Sequence, residues 1–343
     1  MFAKLNAAGA SLLKIVDPFI ILMLTMVLAA SLLPVRGEAA TIAGWITNAV
    51  IMLLFFLHGA KLSRQAILSG FGNLRLHALV LATTFVLFPL VGLMIKGVAG
   101  GFVAPTILSG ILFLCLLPST VQSSIAFTAI ARGNVAAAVC SASLSNILGI
   151  FLTPVLVGLF MGQTAGISKD AIGKIAGQLL LPFVAGHLMR PWLEGFISRH
   201  KSLVGRVDRS SILLVVYTAF SASVVEGLWH KVSIGDLIIV LGLCGLILAF
   251  VLAITWWGAK ALGFAYPERV VILFCGSKKS LASGVPMAGT LFPPAVLGPV
   301  ILPLMLFHQV QLIACAFIAR KLNADAEIAA TLSAMDVAGE EQA

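Results

Sequence analysis

Charge is what this sequence has least of. Asp, Glu, Lys and Arg make up 10% of its 343 residues, while 60% are hydrophobic. Soluble domains carry about a quarter charged residues, so a soluble fold of this length could not cover its surface. That excludes a cytosolic enzyme, a nucleic-acid binder and a disordered chain. A polytopic membrane protein is left, and a mean hydropathy of +1.10 agrees. Cysteine is scarce too. Cys115, Cys140, Cys244, Cys275 and Cys315 all lie inside apolar runs without paired spacing. They read as small buried hydrophobes rather than disulfides or a metal site. The six histidines show no ligand spacing, so no His/Cys metal cluster is expected. Mid-membrane carboxylates are missing as well, since all 13 acidic residues fit in loops, tails or span ends. The paired aspartates of an intramembrane protease are therefore absent. No catalytic residue and no cofactor is expected.

Crossing the hydrocarbon core takes about 20 apolar residues. Ten stretches qualify: 17–34, 41–59, 74–96, 104–131, 134–161, 170–190, 210–229, 233–262, 267–291 and 295–320. The first is followed by Arg36 without a clear cleavage site, so it reads as a mature helix, with Asp17 as its N-cap. The stretch Pro191–Arg209 mixes apolar and basic residues and reads as an amphipathic connector on the interface. The tail after Lys321 is Ala-rich and acidic, and reads as frayed or disordered. Trp192, Trp229, Trp256 and Trp257 fall near span ends, where an amphipathic ring fits.

The positive charges test the span list. Fifteen of the 22 Lys and Arg residues fall on the side that holds both termini. Five (Arg36, Lys96, Lys169, Lys174 and Lys231) fall on the other side. The positive-inside rule then puts both termini in the cytoplasm. The remaining two are Lys278 and Lys279, and they lie in mid-span.

Ionisable groups inside a bilayer are costly and mark function by default. The two lysines sit in Gly276-Ser277-Lys278-Lys279-Ser280-Leu281-Ala282-Ser283-Gly284, flanked by apolar helix and then by Pro286. This pattern predicts an interrupted helix whose freed backbone groups are satisfied by protein or a wet cavity. The segment also looks like the end of a phosphate loop. Val271 stands where the first glycine of that motif belongs, so nucleotide binding is rejected. A second polar knot, Pro118-Ser119-Thr120-Val121-Gln122-Ser123-Ser124, interrupts span 4. By itself it is equally a proline kink with back-bonded hydroxyls. Together the knots say more. They lie in spans 4 and 9, so the two segments cross the membrane in opposite directions. That layout predicts a five-plus-five inverted repeat with broken helices meeting near the midplane.

Span 5 adds Ser141, Ser145 and Asn146. Ser141, Ser145 and Ala138 share a helix face, which is either small-residue packing or ligand contact. Asn146 needs several partners in hydrocarbon. Thr84 in span 3, and His308 with Gln309 in span 10, complete the candidates. No repeated filter motif supports a channel.

With those residues in view, the chain resembles the bile acid:sodium symporter family over about residues 15 to 320. The branch is the one typified by the seventh mammalian member and its bacterial homologues. The most specific pieces are Pro118 to Ser124, Ala131-Arg132-Gly133-Asn134-Val135-Ala136-Ala137-Ala138, Leu152-Thr153-Pro154-Val155-Leu156, and Gly276 to Gly284. The resemblance implies ten helices, with a core domain of spans 3–5 and 8–10 and a panel domain of spans 1, 2, 6 and 7. It also implies a substrate crevice beside the broken spans 4 and 9. It places one sodium site at Ser123 and Ser124 with Ala138 and either Ser141 or Ala142, and a glutamate position at about Phe274. A second site falls at Thr84 and Lys278. The scaffold matches, while the standard sodium ligands largely do not.

These readings combine into one expectation. The fold class is an all-α polytopic membrane protein of ten transmembrane helices, arranged as two inverted five-helix repeats with broken crossing helices 4 and 9. Residues 1–16 form a cytoplasmic N-terminus, 17–162 the first repeat, 163–321 the second, and 322–343 an acidic, flexible cytoplasmic tail. The function is secondary active transport of a small or amphipathic organic anion by alternating access. The substrate and ion site comprises Thr84, Thr120, Gln122, Ser123, Ser124, Ser141, Ser145, Asn146, Ser277, Lys278, Lys279, Ser280, His308 and Gln309. The family implies Na⁺ as coupling ion. Two lysines beside the site would repel Na⁺, by about 4 kcal/mol for unit charges 4 Å apart at an effective dielectric of 20. An ammonium could therefore stand in part of the sodium volume. Burial favours a neutral lysine, so H⁺ could be coupled instead. Adjacent helical residues point about 100° apart, so at most one lysine is expected at the crossing. Lys279 is favoured, because it lies nearer the second half-helix. A positive pair in the cavity would favour an anion. The alternative is a non-transporting membrane regulator on the same scaffold. The expected surroundings are a lipid bilayer, a bacterial inner membrane by preference, with no nucleic acid partner. Nothing in the sequence sets an oligomeric state.

Overall fold

A computed structural model of the chain describes residues 18–61, 73–101, 103–161 and 169–340. Asp17, Arg64, the 1–16 segment and residues 341–343 lie outside the described residues. All regular structure among the described residues is helical. In chain order the helices are α1 (Pro18–Leu32), α2 (Gly37–Lys61) and α3 (Leu74–Ala99). Then come α4 (Pro105–Cys115), α5 (Gln122–Ile130), α6 (Val135–Met161), α7 (Lys169–Arg199) and α8 (Lys201–Val225). A short α9 (Leu228–Lys231), α10 (Ile234–Ala261), α11 (Tyr266–Gly276), α12 (Leu281–Leu291) and α13 (Pro294–Glu340) complete the set.

Local chemistry starts and stops these elements. Asn73 caps α3 by accepting from Leu76 N. Ser233 and Asp236 form a capping box at the head of α10, which satisfies two free amides at once. Pro105 and Pro294 open α4 and α13, where a missing N–H costs nothing. Five segments (α2, α3, α6, α8 and α10) and the Pro294–Asp325 part of α13 are long and apolar enough to cross a membrane. Their large apolar side chains include exposed Leu90, Leu159, Ile238 and Leu246, a surface that suits lipid and not water. The protein is an integral membrane protein.

The two polar knots do break their helices. Span 4 is α4 and α5, of 11 and 9 residues, with Leu116–Val121 between them. Span 9 is α11 and α12, of 11 residues each, with Ser277–Ser280 between them. The half α4 is buried from Ile107 to Cys115 at every position but Ser109. A helix apolar on every face belongs inside a bundle, and α4 lies between α3 and α13.

One expectation changes. Pro191–Arg209 is not a separate connector: α7 runs on to Arg199 and α8 begins at Lys201, with only His200 between. Pro191 does not stop α7. The acidic tail continues the backbone of α13 to Glu340. Its run of Ala, Glu, Leu and Met has high helix propensity.

Around the bundle, α7 packs along α2, and α8 packs along α1 and α2. Gly59 and Gly186 make this possible. A Cβ on Gly59 would overlap the Phe183 carbonyl, and one on Gly186 would overlap the Phe56 carbonyl.

Candidate functional site

The two breaks meet, and they satisfy each other. Every interrupted helix leaves orphan carbonyls that must find donors. Ser119 Oγ donates to Cys275 O at 2.5 Å, and Ser124 Oγ donates to Phe274 O at 3.0 Å. These hydroxyls close the C-terminal end of α11. Thr120 Oγ1 donates to Lys279 O at 2.8 Å, and Ser280 N donates to Pro118 O at 2.9 Å. At the end of α4, Leu116 O accepts from Thr153 Oγ1 at 2.8 Å.

Lys279 supplies the rest. Its Nζ donates to Thr84 O at 2.9 Å, Cys115 O at 3.0 Å and Leu117 O at 2.7 Å. An ammonium has three N–H donors and no acceptor, and here three carbonyls face it. Two of them end α4, where helix carbonyls carry partial negative charge. The third is freed by an irregularity in α3. Residues Thr83–Leu87 widen into a π-helical turn, and Phe88 N donates to Thr83 O. The next residue, Pro89, has no N–H. Thr84 O is thus left without a donor from its own helix. The ring of Phe88 lies 4.0 Å from the lysine nitrogen.

Lys278 lies in a different setting. Its Nζ reaches Ser123 Oγ at 3.4 Å and sits 4.4 Å from the Phe127 ring and 5.4 Å from the Phe274 ring. Both lysine side chains are fully buried. Residues 277–280 are not helical. The 100° rule for neighbours on a helix therefore does not apply, and both lysines enter the crossing, on separate sides. Neither lines the cavity, contrary to the expected positive pair in it. No carboxylate pairs with either lysine among the described residues.

Other candidates divide. Asn146 ties the breaks together. Its Nδ2 donates to Ser119 O at 2.6 Å and Ala142 O at 3.1 Å, and its Oδ1 accepts from Ser283 Oγ at 2.7 Å. Ser145 Oγ accepts from Ser119 N at 3.0 Å. Ser141 Oγ pairs with His77 Nδ1 at 2.7 Å. Ser277 is turned back onto Leu273 O, and Thr84 Oγ1 onto Val80 O. Ser280 caps α12, accepting from Ser283 N. Gln309 is not brought into the network. Its neighbour Gln311, two residues on, takes that place: its Oε1 accepts from Lys279 N at 2.9 Å, and its Nε2 donates to Lys279 O and His308 Nδ1 at 2.9 Å each. Sequence reading missed Gln311 and His77. A polar residue inside an apolar span was the available signal.

A cavity of about 1010 Å³ opens onto this crossing. Its floor is made by Thr120, Gln122, Ser123, Asn146, Ser280 and Ser283, with His308 beside them. Its walls are Phe19, Phe55, Phe183 and Ile212 on one side and Ile147 and Leu312 on the other. At its far end stand Lys61, Arg206, Asp208 and Arg209, with Lys61 and Asp208 in an ion pair. The N-terminal ends of α5 and α12 both face the floor.

The donors present do not fit a sodium ion. Ser123, Ser124 and Ser141 each engage a different partner, Lys278 Nζ reaches Ser123, and Phe274 stands where the family resemblance implies a glutamate.

The SBF-like CPA transporter family matches residues 17–324. The Escherichia coli K12 protein named "Putative symporter YfeH" is 52% identical over 317 residues, covering 92% of this chain and 96% of that protein. "Sodium/bile acid cotransporter 7" of Danio rerio is 26% identical over 272 residues, 78% of this chain and 81% of that protein. The rat protein of the same name is 27% identical over 271 residues, 77% and 78% of the two chains. These relatives agree with the resemblance carried by the two knots.

Proposed function

The chain belongs to the SBF-like CPA transporter family, and from that membership we propose that it carries an amphipathic organic anion by alternating access, coupled to protons or to no ion in place of sodium. The observation that carries this reading is the cavity between two helix groups. One wall comes from α1, α2, α7 and α8, the other from the α4–α5 break, α6, α12 and α13. A crevice with walls on two packed units closes when one rocks against the other. The ten-span inverted repeat, with halves at 17–162 and 163–321, is part of the same proposal. It is supported by breaks in spans 4 and 9 that exchange hydrogen bonds.

The anion preference rests on charge. Two half-helix N-termini offer partial positive charge at the floor, and Arg206 and Arg209 stand at the mouth. The apolar walls favour a substrate with a hydrophobic body. By the positive-inside rule the mouth faces the cytoplasm, so this is the inward-open form in a bacterial inner membrane with both termini inside. The coupling proposal rests on the ammonium groups at the crossing and on the missing carboxylate. Lys279 is assigned the organising role that a bound cation would have there.

The test is uptake of taurocholate into proteoliposomes under a sodium gradient, a proton gradient or none. Uptake driven by protons, or independent of both gradients, supports the reading. Strict dependence on sodium overturns the coupling part. Saturable taurocholate binding without flux would instead favour a regulator on this scaffold.

A further inference from the structure

The two lysines are neighbours in sequence and opposites in constraint. Lys279 is held at both ends. Three carbonyls take its three N–H groups, and Gln311 takes its backbone N–H and C=O. Lys278 has one oxygen within reach among the described residues, Ser123 Oγ at 3.4 Å, at the outer edge of hydrogen bonding. Its remaining neighbours are aromatic faces. Ser123 is half-buried and lines the cavity. A single hydroxyl therefore separates the Lys278 nitrogen from cavity water. The backbone that carries it, 277–280, is not helical.

We propose that Lys278 is the exchangeable cation of this transporter, reached from the cavity through Ser123, while Lys279 is a fixed cation that never leaves the crossing. The proposal rests on the transporter reading above. In the exchange step the Lys278 ammonium hands one proton by way of the Ser123 hydroxyl to a cavity water, leaving a neutral amine and a hydronium ion. The reverse step restores the charge when an anion enters. The groups that face Lys278 are Ser123 and Phe127 from α5, Phe274 and Cys275 from α11, and Cys315 from α13. The two thiols are the only titratable ones among the described residues, and no carboxylate stands by to hold the proton in place. Ser123 is the relay in this scheme: its hydroxyl gives its own proton to the water as it takes the one from Lys278.

Acetic anhydride labelling of the purified wild-type protein, read by tandem mass spectrometry, separates the two amines without any substrate. Lys278 is expected to react in the folded protein about tenfold or more faster than Lys279, and faster in alkaline than in neutral buffer. Lys279 is expected to react only on unfolding. Equal protection of both, or earlier reaction of Lys279, overturns the proposal. In proteoliposomes, Lys278→Gln is expected to lose taurocholate uptake driven by a pH gradient, and retention of that uptake overturns it as well. If the wild-type protein moves no taurocholate under any gradient, the transport reading fails, and the labelling result still decides which lysine exchanges with the cavity. The labelling uses the wild-type chain, so it holds even if Lys278→Gln does not fold.

Discussion

The side-chain amide of Gln311 holds both backbone groups of Lys279: Oε1 accepts from its N–H and Nε2 donates to its C=O. One residue on α13 thus replaces the helical partners that the break in span 9 removes. Gln311→Leu keeps much of the volume and leaves the buried Lys279 N–H without a partner, while Lys279 O keeps only its bond from Thr120 Oγ1. A buried group so orphaned costs about 1–3 kcal/mol. The variant is expected to melt well below wild type in detergent. Gln309→Leu, outside the network, is expected to melt close to wild type. Equal melting of the two variants would deny Gln311 this role.

Asn146 is the other connector, with bonds to both breaks. Asn146→Ala removes the donor to Ser119 O and the acceptor for Ser283 Oγ. Ser119 O is then buried without its partner. The expected loss is about 1–3 kcal/mol of stability, with slower taurocholate uptake. Ser143→Ala, on the same helix and also lining the cavity, makes none of these bonds and is expected to keep both stability and register of the breaks. Thermal melting and proteoliposome uptake of the two variants check this.

How much of this was legible beforehand follows from the physics of each part. The helices were, because a bilayer demands long apolar runs and punishes charge. The breaks were, because Pro118 and the Gly276–Gly284 segment cannot continue a helix in lipid without help. The partners inside the crossing were not. Pairing Lys279 with Thr84 O, Cys115 O and Leu117 O uses backbone atoms, which no residue type announces. The π-helical turn that frees Thr84 O depends on Pro89 together with tertiary packing. Gln309 and Gln311 are chemically identical, and only the helix phase of α13 decides which faces Lys279. The rule that neighbours point apart failed at Lys278 and Lys279 because it assumes a helix where there is none.

Arg206 and Arg209 stand at the mouth of the cavity, exposed, while Lys61 is engaged with Asp208. Charges so placed act on the encounter with an anion more than on its final fit. Arg206→Gln with Arg209→Gln is expected to raise the taurocholate KM about threefold to tenfold at low salt, with kcat nearly unchanged. Raising ionic strength is expected to shrink the difference, since the Debye length falls to about 8 Å at physiological salt. A kcat defect that persists in high salt would contradict a role in attracting the anion.

The packing of α2 on α7 makes a separate stability prediction. Gly59 faces the Phe183 carbonyl and Gly186 the Phe56 carbonyl, each with no room for a Cβ. Gly59→Ala must push the helices apart along a wall of the cavity. Overpacking of this kind costs about 1–3 kcal/mol. Gly195 lies on α7 with nothing near its Cβ position, so Gly195→Ala is expected to be neutral or to gain up to about 1 kcal/mol from helix propensity. Melting temperatures of the two variants should therefore move in opposite directions or differ by several degrees.

Lys279→Met tests the idea that an ammonium holds the crossing together. The thioether chain fills similar volume but offers no donors to Thr84 O, Cys115 O and Leu117 O. Three carbonyls then point at one another, two of them from the end of α4. Breaking a buried charge-assisted network costs about 3–5 kcal/mol, so a marked fall in melting temperature is expected. A small cation could occupy the vacated space, because sodium takes hard oxygen ligands. Addition of Na⁺, and less so of larger K⁺, is expected to recover part of the lost stability in Lys279→Met. It is expected to leave wild type unmoved, since the lysine already fills the site. Stabilisation of wild type by Na⁺ over K⁺ would show that the protein binds sodium alongside its lysines, and the replacement idea would fall. A Lys279→Met protein that melts like wild type, with or without salt, would remove Lys279 from the crossing altogether.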